Sequence, residues 1–425
     1  MFVSFFPKPK LFFISAVGWA AVMILAWYFA GEQLGAALWP AVADAEAARL
    51  LNPLRFITAP FIWFYVYFWL GVLLFYLFWR WYSPHPWLNW SVLGTALIIF
   101  AAYFNVQVSV ALNDWRGPFY DLIVKALTPP ASVELADVYS GAGSFLALAL
   151  VGITVSVLSI FFSKHYIFRW RTAMNDFYVA NWERLRRIEG ASQRVQEDTM
   201  RFSEIMQSMG DKFVDSIMTL IAFTPQLILL SASVSEIPIL GAIPYPLVFA
   251  AIGWALFGTV LLAVVGVRLP GLEFRNQRVE AAFRKELVYG EDDPTRAQPI
   301  TLTELFANVR RNYFTLYAHY VYFDVTRYLY LQTDVIFATL ILAPSIAAAK
   351  FSFGVYQQIV SAFTQVTNSF QYLVNSWPTI VTLISIYKRL RAFEATLDGE
   401  ALPEIDRRYL EREAAGMKPE DQPAS

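Results

Sequence analysis

The sequence has 425 residues, of which 57% are hydrophobic, 17% are aromatic and only 16% are charged, and its formal net charge is −1. A soluble domain has about one quarter charged residues, so this composition predicts a polytopic membrane protein. The near-neutral balance does not indicate nucleic acid as a partner, and the absence of cysteine excludes disulfides, thiolate metal sites and cysteine nucleophiles. The histidines His85, His165 and His319 are scattered without metal-ligand spacing, so no metal site is predicted.

Apolar runs long enough to cross a bilayer recur along the chain. The predicted spans cover residues 11–30, 56–79, 88–112, 143–162, 213–234, 247–267, a part of 316–349, and 354–386. The first run follows Lys8 and Lys10 as in a signal peptide, but its twenty uncharged residues exceed the usual cleaved segment, so we expect a retained span. The predicted fold class is all-α and polytopic, with eight transmembrane helices.

Two charged segments, 163–212 and 268–311, are predicted to form helical arms outside the membrane. The first contains nine Lys or Arg and no proline, and good helix formers fill most of it. We expect two arms that break near Glu189 and Gly190, each reaching roughly 30 Å at a rise of about 1.5 Å per residue. The second segment is predicted to break at residues 290–294.

Lys and Arg are divided unevenly between the two sides of this arrangement. The side with both termini and both charged segments carries 27 of them, and the other side carries five. The positive-inside rule therefore predicts that both termini and the arms are cytoplasmic.

Five stretches of sequence identify a family resemblance. They are MFVSFFPKPKLFF at the start, NDWRGPFYDL after the third run, FRWRTAMNDFY at 168–178, EGASQRVQEDTMRF at 189–202 and LPGLEFRNQRVEAAFRKELVYGEDD at 269–293. Together they resemble the SbmA/BacA family of bacterial peptide transporters, and the length and several motifs are most similar to the BacA branch from rhizobia. The likeness extends to about Ala401.

This resemblance implies a transmembrane domain related to that of ATP-binding-cassette exporters. It implies a two-span region at 1–86, a six-helix exporter-like domain at 87–400 and a polar tail at 401–425. SIYKRLRAFE at 385–394 resembles the helix that leads into a nucleotide-binding domain, yet only 31 residues follow Glu394 and no phosphate-loop motif occurs. We therefore expect an exporter-like body without an ATPase, with no cofactor and no ATPase subunit.

The function that the resemblance implies is proton-gradient-driven import of peptides, including antimicrobial and modified peptides, across the bacterial inner membrane. Exporter bodies of this kind need two six-helix halves to enclose a cavity. The expected partners are therefore a second copy of the chain, peptide substrates and membrane lipid.

Proton coupling requires titratable groups that face a wet cavity within the membrane. Glu197, Glu204, Asp211 and Asp215 are spaced by seven, seven and four residues, which places them within about 40° on one helix face. Asp215 is favoured within this row because its neighbours are apolar. The proton-coupling candidates are Glu197, Glu204, Asp215, Glu273, Glu280 and Asp334.

A second interpretation of these acids is a solvated helix face. Arg201 follows Glu197, and Arg284 follows Glu280, at the spacing of four residues that stabilises helical ion pairs. Both interpretations stay open at this point.

The seventh span adds Asp324 and Arg327 as candidates for contacting substrate in the cavity. These two are three residues apart, so a structural ion pair is the favoured interpretation, whereas Asp334 has no cation one turn away. Arg116 and Asp121 flank a predicted outer turn, GPFY at 117–120, where they either contact a substrate or hold the turn.

Two further candidates lie in the family-like stretches outside the membrane. Gln193 and Arg389 are predicted to close a cytoplasmic gate, and the alternative is packing between arms.

Three other functions were weighed from the sequence. A transporter of lipid or very-long-chain fatty acid would show a lateral apolar opening, whereas a polar, acidic cavity would favour cationic peptides. A factor for envelope lipid modification would show no uptake. An enzyme is not expected, because no span contains a Ser/His dyad and no HExxH motif occurs.

Overall fold

The structure, a computed structural model, describes residues 1–44, 50–129, 133–186, 191–234, 237–238, 241, 243–293 and 295–398. The helices are α1 (Pro9–Ala26), α2 (Glu32–Leu38), α3 (Ala59–Tyr82), α4 (Thr95–Leu127), α5 (Leu135–Ala180), α6 (Trp182–Leu185), α7 (Ala191–Gln193), α8 (Thr199–Ser231), α9 (Pro246–Gly266), α10 (Leu269–Asp292), α11 (Pro299–Ala347), α12 (Phe353–Asn375) and α13 (Trp377–Asp398). The predicted tail at 401–425 lies outside the described residues.

The predicted fold class is confirmed, since the protein is an all-α polytopic membrane protein and the described residues contain no strand. Seven helical segments among these residues are long and apolar enough to cross a membrane. They are Pro9–Gly31, Ala59–Tyr82, Asn89–Leu127, Leu135–Ala180, Arg194–Ser231, Pro246–Gly266 and Pro299–Ala347. The eighth predicted span, 354–386, forms α12 and α13 and is not among the seven, so the count of eight stays a prediction.

The charged segments fold as helical arms that continue from the apolar helices. The first arm is the end of α5, which runs unbroken for 46 residues. The predicted break at Glu189 and Gly190 lies outside the described residues, although α5 already ends at Ala180. The second predicted break is confirmed, because α10 ends at Asp292 and α11 begins at Pro299.

The predicted outer turn at GPFY is wrong, because α4 continues through it to Leu127 with Pro118 inside the helix. Proline has no N–H and so leaves the carbonyl of the residue four positions earlier without its helical donor. That residue is Asp114, and its carbonyl accepts a hydrogen bond of 3.2 Å from Nε2 of Gln358 in α12. The same nitrogen donates to the carbonyl of Asn113 at 3.1 Å. A neighbouring helix therefore supplies the donor that the proline removes, as is common in membranes.

Replacing Gln358 by alanine is expected to destabilise the protein. An unsatisfied buried carbonyl costs about 1–3 kcal/mol, so the melting temperature of the detergent-purified variant should fall. Gln357→Ala is the matched control, because the structure describes no hydrogen bond from that neighbouring side chain. Equal melting temperatures for the two variants would show that Gln358 does not stabilise the proline-containing helix.

Two compact units make up the chain. The first comprises Met1–Phe223, Phe353–Gln358 and Thr379–Ser425, and the second comprises Thr224–Ser352 and Ile359–Pro378. The division predicted from the sequence, at residues 86 and 400, stays a prediction.

The opening residues of the chain are packed into the core of the first unit. Phe5 is fully buried and its ring stacks on Trp170 of α5, with ring centroids 5.6 Å apart. The indole N–H of Trp170 donates to the Met1 carbonyl at 3.2 Å. The Met1 ammonium and the hydroxyl of Tyr178 both contact the carboxylate of Glu394 in α13, which is only 6% exposed. The N-terminal segment thus joins α5 to α13.

Aromatic side chains of α3 bind the backbone of the first helix. The Tyr67 hydroxyl donates to the Met23 carbonyl at 2.6 Å, and the Trp63 indole donates to the Gly31 carbonyl at 2.8 Å. Gly31 ends a π-helical turn, Trp27–Gly31, where a regular helical bond is displaced. Trp63 and Tyr67 therefore hold α3 against the first apolar segment.

In the second unit, α10 and α11 form a helical hairpin. Asn312 donates to Asn276 at 3.1 Å between the two helices, and both side chains are buried. At the turn, Thr295 donates its hydroxyl and its backbone N–H to Oδ1 of Asp293, at 2.7 and 2.8 Å. These bonds lower the pKa of Asp293 because they favour its ionised form.

Candidate functional site

The acidic row on α8 is only partly continuous in the structure. A π-helical turn, Arg194–Asp198, precedes α8, so Glu197 is not in regular register with Glu204 and the acids beyond it. Arg201 Nη2 lies 2.6 Å from Glu197 Oε1, which is the ion pair that the second interpretation expected. Glu204 is exposed. The outer acids therefore resemble a solvated face.

Asp211 and Asp215 differ in their surroundings although they lie one turn apart. Asp211 is half-buried, lines a cavity in the first unit and accepts a hydrogen bond of 3.1 Å from the Ser163 hydroxyl. Asp215 is exposed on α8 and does not line that cavity. Of this row, Asp211 is the acid that faces an internal space within the first unit.

That cavity has a volume of about 980 Å³ and is lined mainly by apolar and aromatic side chains. Its walls come from α1, α3, α4, α5 and α8. Among the described residues that line it, Asp211 is the only one with a carboxylate. By the criterion set from the sequence, this lining suits hydrocarbon better than a cationic peptide.

The second unit holds Asp334 in a hydrogen-bonded aromatic cluster. The indole N–H of Trp254 in α9 donates to Asp334 Oδ1 at 2.6 Å. The Trp254 ring stacks on Phe337, with centroids 3.8 Å apart, and on Tyr330, with centroids 5.0 Å apart. This short hydrogen bond fixes the Asp334 carboxyl group in one orientation.

The hydrogen bonds continue from this cluster to α12. Gln371 donates its amide N–H to the hydroxyl of Tyr330, and both side chains are buried. A side chain at Gly258 would collide with the Tyr330 ring, so this glycine permits the close approach of α9 and α11. The Tyr330 hydroxyl in turn donates to the backbone carbonyl of Trp254 at 3.4 Å. One connected polar path inside an apolar helix cluster therefore contains Asp334, Trp254, Tyr330 and Gln371.

The remaining candidates of α11 are Asp324 and Arg327, and they do not form the expected pair. The structure describes both Asp324 and Arg327, and no ion pair joins them, so that interpretation was wrong. The side chains of residues three apart on a helix are neighbours. Whether they form an ion pair also depends on the contacts that other helices provide to each of them. Arg327 instead lines a small cavity beside Tyr330 and Gln371.

The candidates at the end of α4 take part in helix packing. Asp121 accepts the backbone N–H of Gly354 at 2.7 Å, where α12 begins. Arg116 is half-buried. Arg55 is 5% exposed, and its Nη1 lies 2.8 Å from the carboxylate of Asp114. The buried side-chain amide of Asn113 has no hydrogen-bond partner among the described residues.

The structure does not describe the side chains of three candidates, Gln193, Glu273 and Arg389. Glu280 is half-buried on α10. Among the described residues, no group of three or more His, Asp or Glu could hold a metal ion.

Several residues of these sites were not predicted from the sequence. Trp254, Tyr330, Gln371 and Ser163 lie far along the chain from the acids that they contact, and no spacing signal connects them. Glu394 was quoted only as part of the exit-helix motif.

The curated relatives of the chain are named as ABC transporter proteins. It is 23% identical over 329 residues to the inner membrane ABC transporter ATP-binding protein YddA of Escherichia coli, covering 71% of this chain and 57% of the relative. It is 24% identical to an uncharacterised ABC transporter ATP-binding protein of Synechocystis, covering 56% of this chain and 35% of the relative. It is 26% identical to ABC transporter D family member 2, chloroplastic, of Arabidopsis thaliana, and the match covers 58% of this chain and 36% of the relative.

The chain thus spans 57% or less of the length of each of these relatives. The sequence model described as the SbmA/BacA-like family matches residues 84–398. This range holds α4, the arms, the Asp334 cluster and α13. Because the match covers most of the chain, the protein belongs to the SbmA/BacA-like family.

Proposed function

We propose that the protein imports peptides across the bacterial inner membrane, driven by the proton gradient, without chemical change to the peptide. The observation that carries this proposal is the Asp334 carboxylate, which the Trp254 indole holds within an apolar helix of a membrane protein. An ionisable group in such a place is costly, so it is usually functional. Membership of the SbmA/BacA-like family and the transporter relatives support the same class of function.

The working unit in this proposal is a homodimer with both termini in the cytoplasm. Asp215 is exposed on α8 within a helix that is apolar enough to cross the membrane. A carboxylate that faces lipid is unfavourable. A second copy of the chain would cover this face and leave Asp215 beside a shared polar cavity.

Uptake of a labelled cationic peptide into proteoliposomes tests the proposal. Accumulation should require an imposed pH gradient or membrane potential, should collapse with a protonophore, and should be unchanged by ATP. The control is the same vesicles without protein. Accumulation that needs ATP although a gradient is present would contradict proton coupling, and no accumulation under any condition would contradict peptide import.

Transport of lipid or very-long-chain fatty acid is a second candidate function. The observation in its favour is the apolar cavity of about 980 Å³ in the first unit. If labelled fatty acid crosses the vesicle membrane faster with the protein than without it, and the peptide is not accumulated, this candidate replaces peptide import.

A further inference from the structure

The apolar cavity of the first unit is large and tall enough for hydrocarbon chains. Its volume of about 980 Å³ lies at the upper end of ligand pockets, which are about 300–1,000 Å³. Along the first helix it extends from Phe12 to Tyr28. At a rise of about 1.5 Å per residue this is about 24 Å, which is most of the roughly 30 Å hydrocarbon core of a bilayer.

Most polar atoms around the cavity already have partners. The Trp19 indole donates to the Gly71 carbonyl at 3.0 Å, and the hydroxyls of Thr95 and Tyr166 are 2.7 Å apart. Asp211, which lies on the wall, accepts the bond from the Ser163 hydroxyl. A water molecule needs two to four polar partners, so the apolar remainder of the wall stays dry. An empty volume of this size is also unfavourable, because its walls lose their packing contacts.

The cavity reaches the outer surface of the helices. Ile24 and Tyr28 line it and are nevertheless 53% and 75% exposed. Since these positions lie in a helix that is apolar enough to cross the membrane, the surface beside them faces lipid chains. Hydrocarbon can therefore enter from the bilayer.

One end of the cavity is positively charged. Lys8 and Lys10 are exposed one turn before the lining residue Phe12, and Arg80 is exposed in the last turn of α3. Lys8 Nζ lies 4.4 Å from the ring centroid of Tyr82, and no carboxylate among the described residues forms an ion pair with these three cations. Basic side chains at a membrane surface attract lipid phosphate.

We propose that this cavity holds a resident membrane phospholipid. Its acyl chains lie between the α1–α3 pair and helices α4, α5 and α8, and its phosphate lies beside Lys8, Lys10 and Arg80. The phospholipid acts as a structural filler that fixes α1 and α3 to the rest of the first unit. It is not transported, so the inference goes beyond the proposed function and does not depend on it.

The test measures lipid bound to the purified full-length protein. After detergent exchange, native mass spectrometry should find about one phospholipid per chain, and adding phosphatidylglycerol to delipidated protein should raise its melting temperature. Ala16→Trp, which fills the cavity from α1, should abolish both effects. Val17→Trp is the matched control, because Val17 is 72% exposed and does not line the cavity, so it should behave as the unmodified protein.

A charge variant tests the phosphate site without altering the cavity. Each basic residue at a membrane surface contributes about 1 kcal/mol, so the double variant Lys8→Gln with Lys10→Gln should bind phosphatidylglycerol about 30-fold more weakly. Equal lipid retention by Ala16→Trp and Val17→Trp would overturn the proposal. So would phosphatidylglycerol binding that the lysine variant leaves unchanged, or displacement of phospholipid by oleic acid at equal concentration, which would identify a fatty-acid site.

Discussion

Replacing Asp334 by asparagine is expected to abolish gradient-driven accumulation of peptide while leaving folded protein intact. Asparagine keeps the size of the side chain and still accepts the bond from the Trp254 indole, but it cannot take up and release a proton. Each proton that crosses a potential of about 100 mV supplies about 2.3 kcal/mol, which corresponds to an about 50-fold accumulation ratio. The variant should lose that ratio in proteoliposomes while peptide binding without a gradient falls less.

Trp254→Phe separates the hydrogen bond from the ring packing. Phenylalanine preserves stacking against Phe337 but removes the indole N–H that orients the carboxylate, so we expect slower uptake with normal expression. Asp324→Asn is the matched control, because it removes a half-buried acid from the same helix without touching the cluster. Normal accumulation by Asp334→Asn would exclude Asp334, and Asp215→Asn and Glu280→Gln would then test the remaining proton path.

Replacing Glu394 by alanine is expected to cause the largest loss of stability. The carboxylate is buried and contacts both the Met1 ammonium and the Tyr178 hydroxyl. Removing one partner of a buried ion pair costs about 3–5 kcal/mol, because the other charge remains buried without compensation. The melting temperature in detergent should fall by roughly 5–10 °C.

The matched control for Glu394 is Asp176→Ala. Asp176 is an exposed acid on the same arm of α5 that carries Tyr178, so its loss removes a similar charge without opening a buried pair. An unchanged melting temperature for Glu394→Ala would show that the N-terminal segment does not depend on this contact. Equal losses for both variants would indicate a general effect of charge on the arm.

The sequence by itself determined the class of protein and the sites of most helices. Long apolar runs must cross or enter a membrane because their exposed area is unfavourable in water, and this property is local to each run. The positions of the first to seventh spans and the break between α10 and α11 followed from composition and from Gly290 and its neighbours. The family resemblance also came from contiguous motifs.

The partners of the candidate site were decided only by tertiary structure. Asp334 was identified from its apolar surroundings, but Trp254 lies 80 residues earlier and Gln371 lies on another helix. The expected pair of Asp324 and Arg327 did not form, since spacing on one helix permits a contact without requiring it. Hydrogen bonds between helices depend on how those helices pack, which no local pattern encodes.

The helix at Pro118 shows the same division most directly. Proline locally favours a turn, and the sequence therefore predicted one at 117–120. In the folded chain, Gln358 lies 244 residues after Asp114 and donates to the carbonyl that the proline leaves unpaired, so α4 continues to Leu127. The proline itself determines that one backbone N–H donor is missing. Only the packing of the start of α12 against α4 decides that Gln358 replaces this donor.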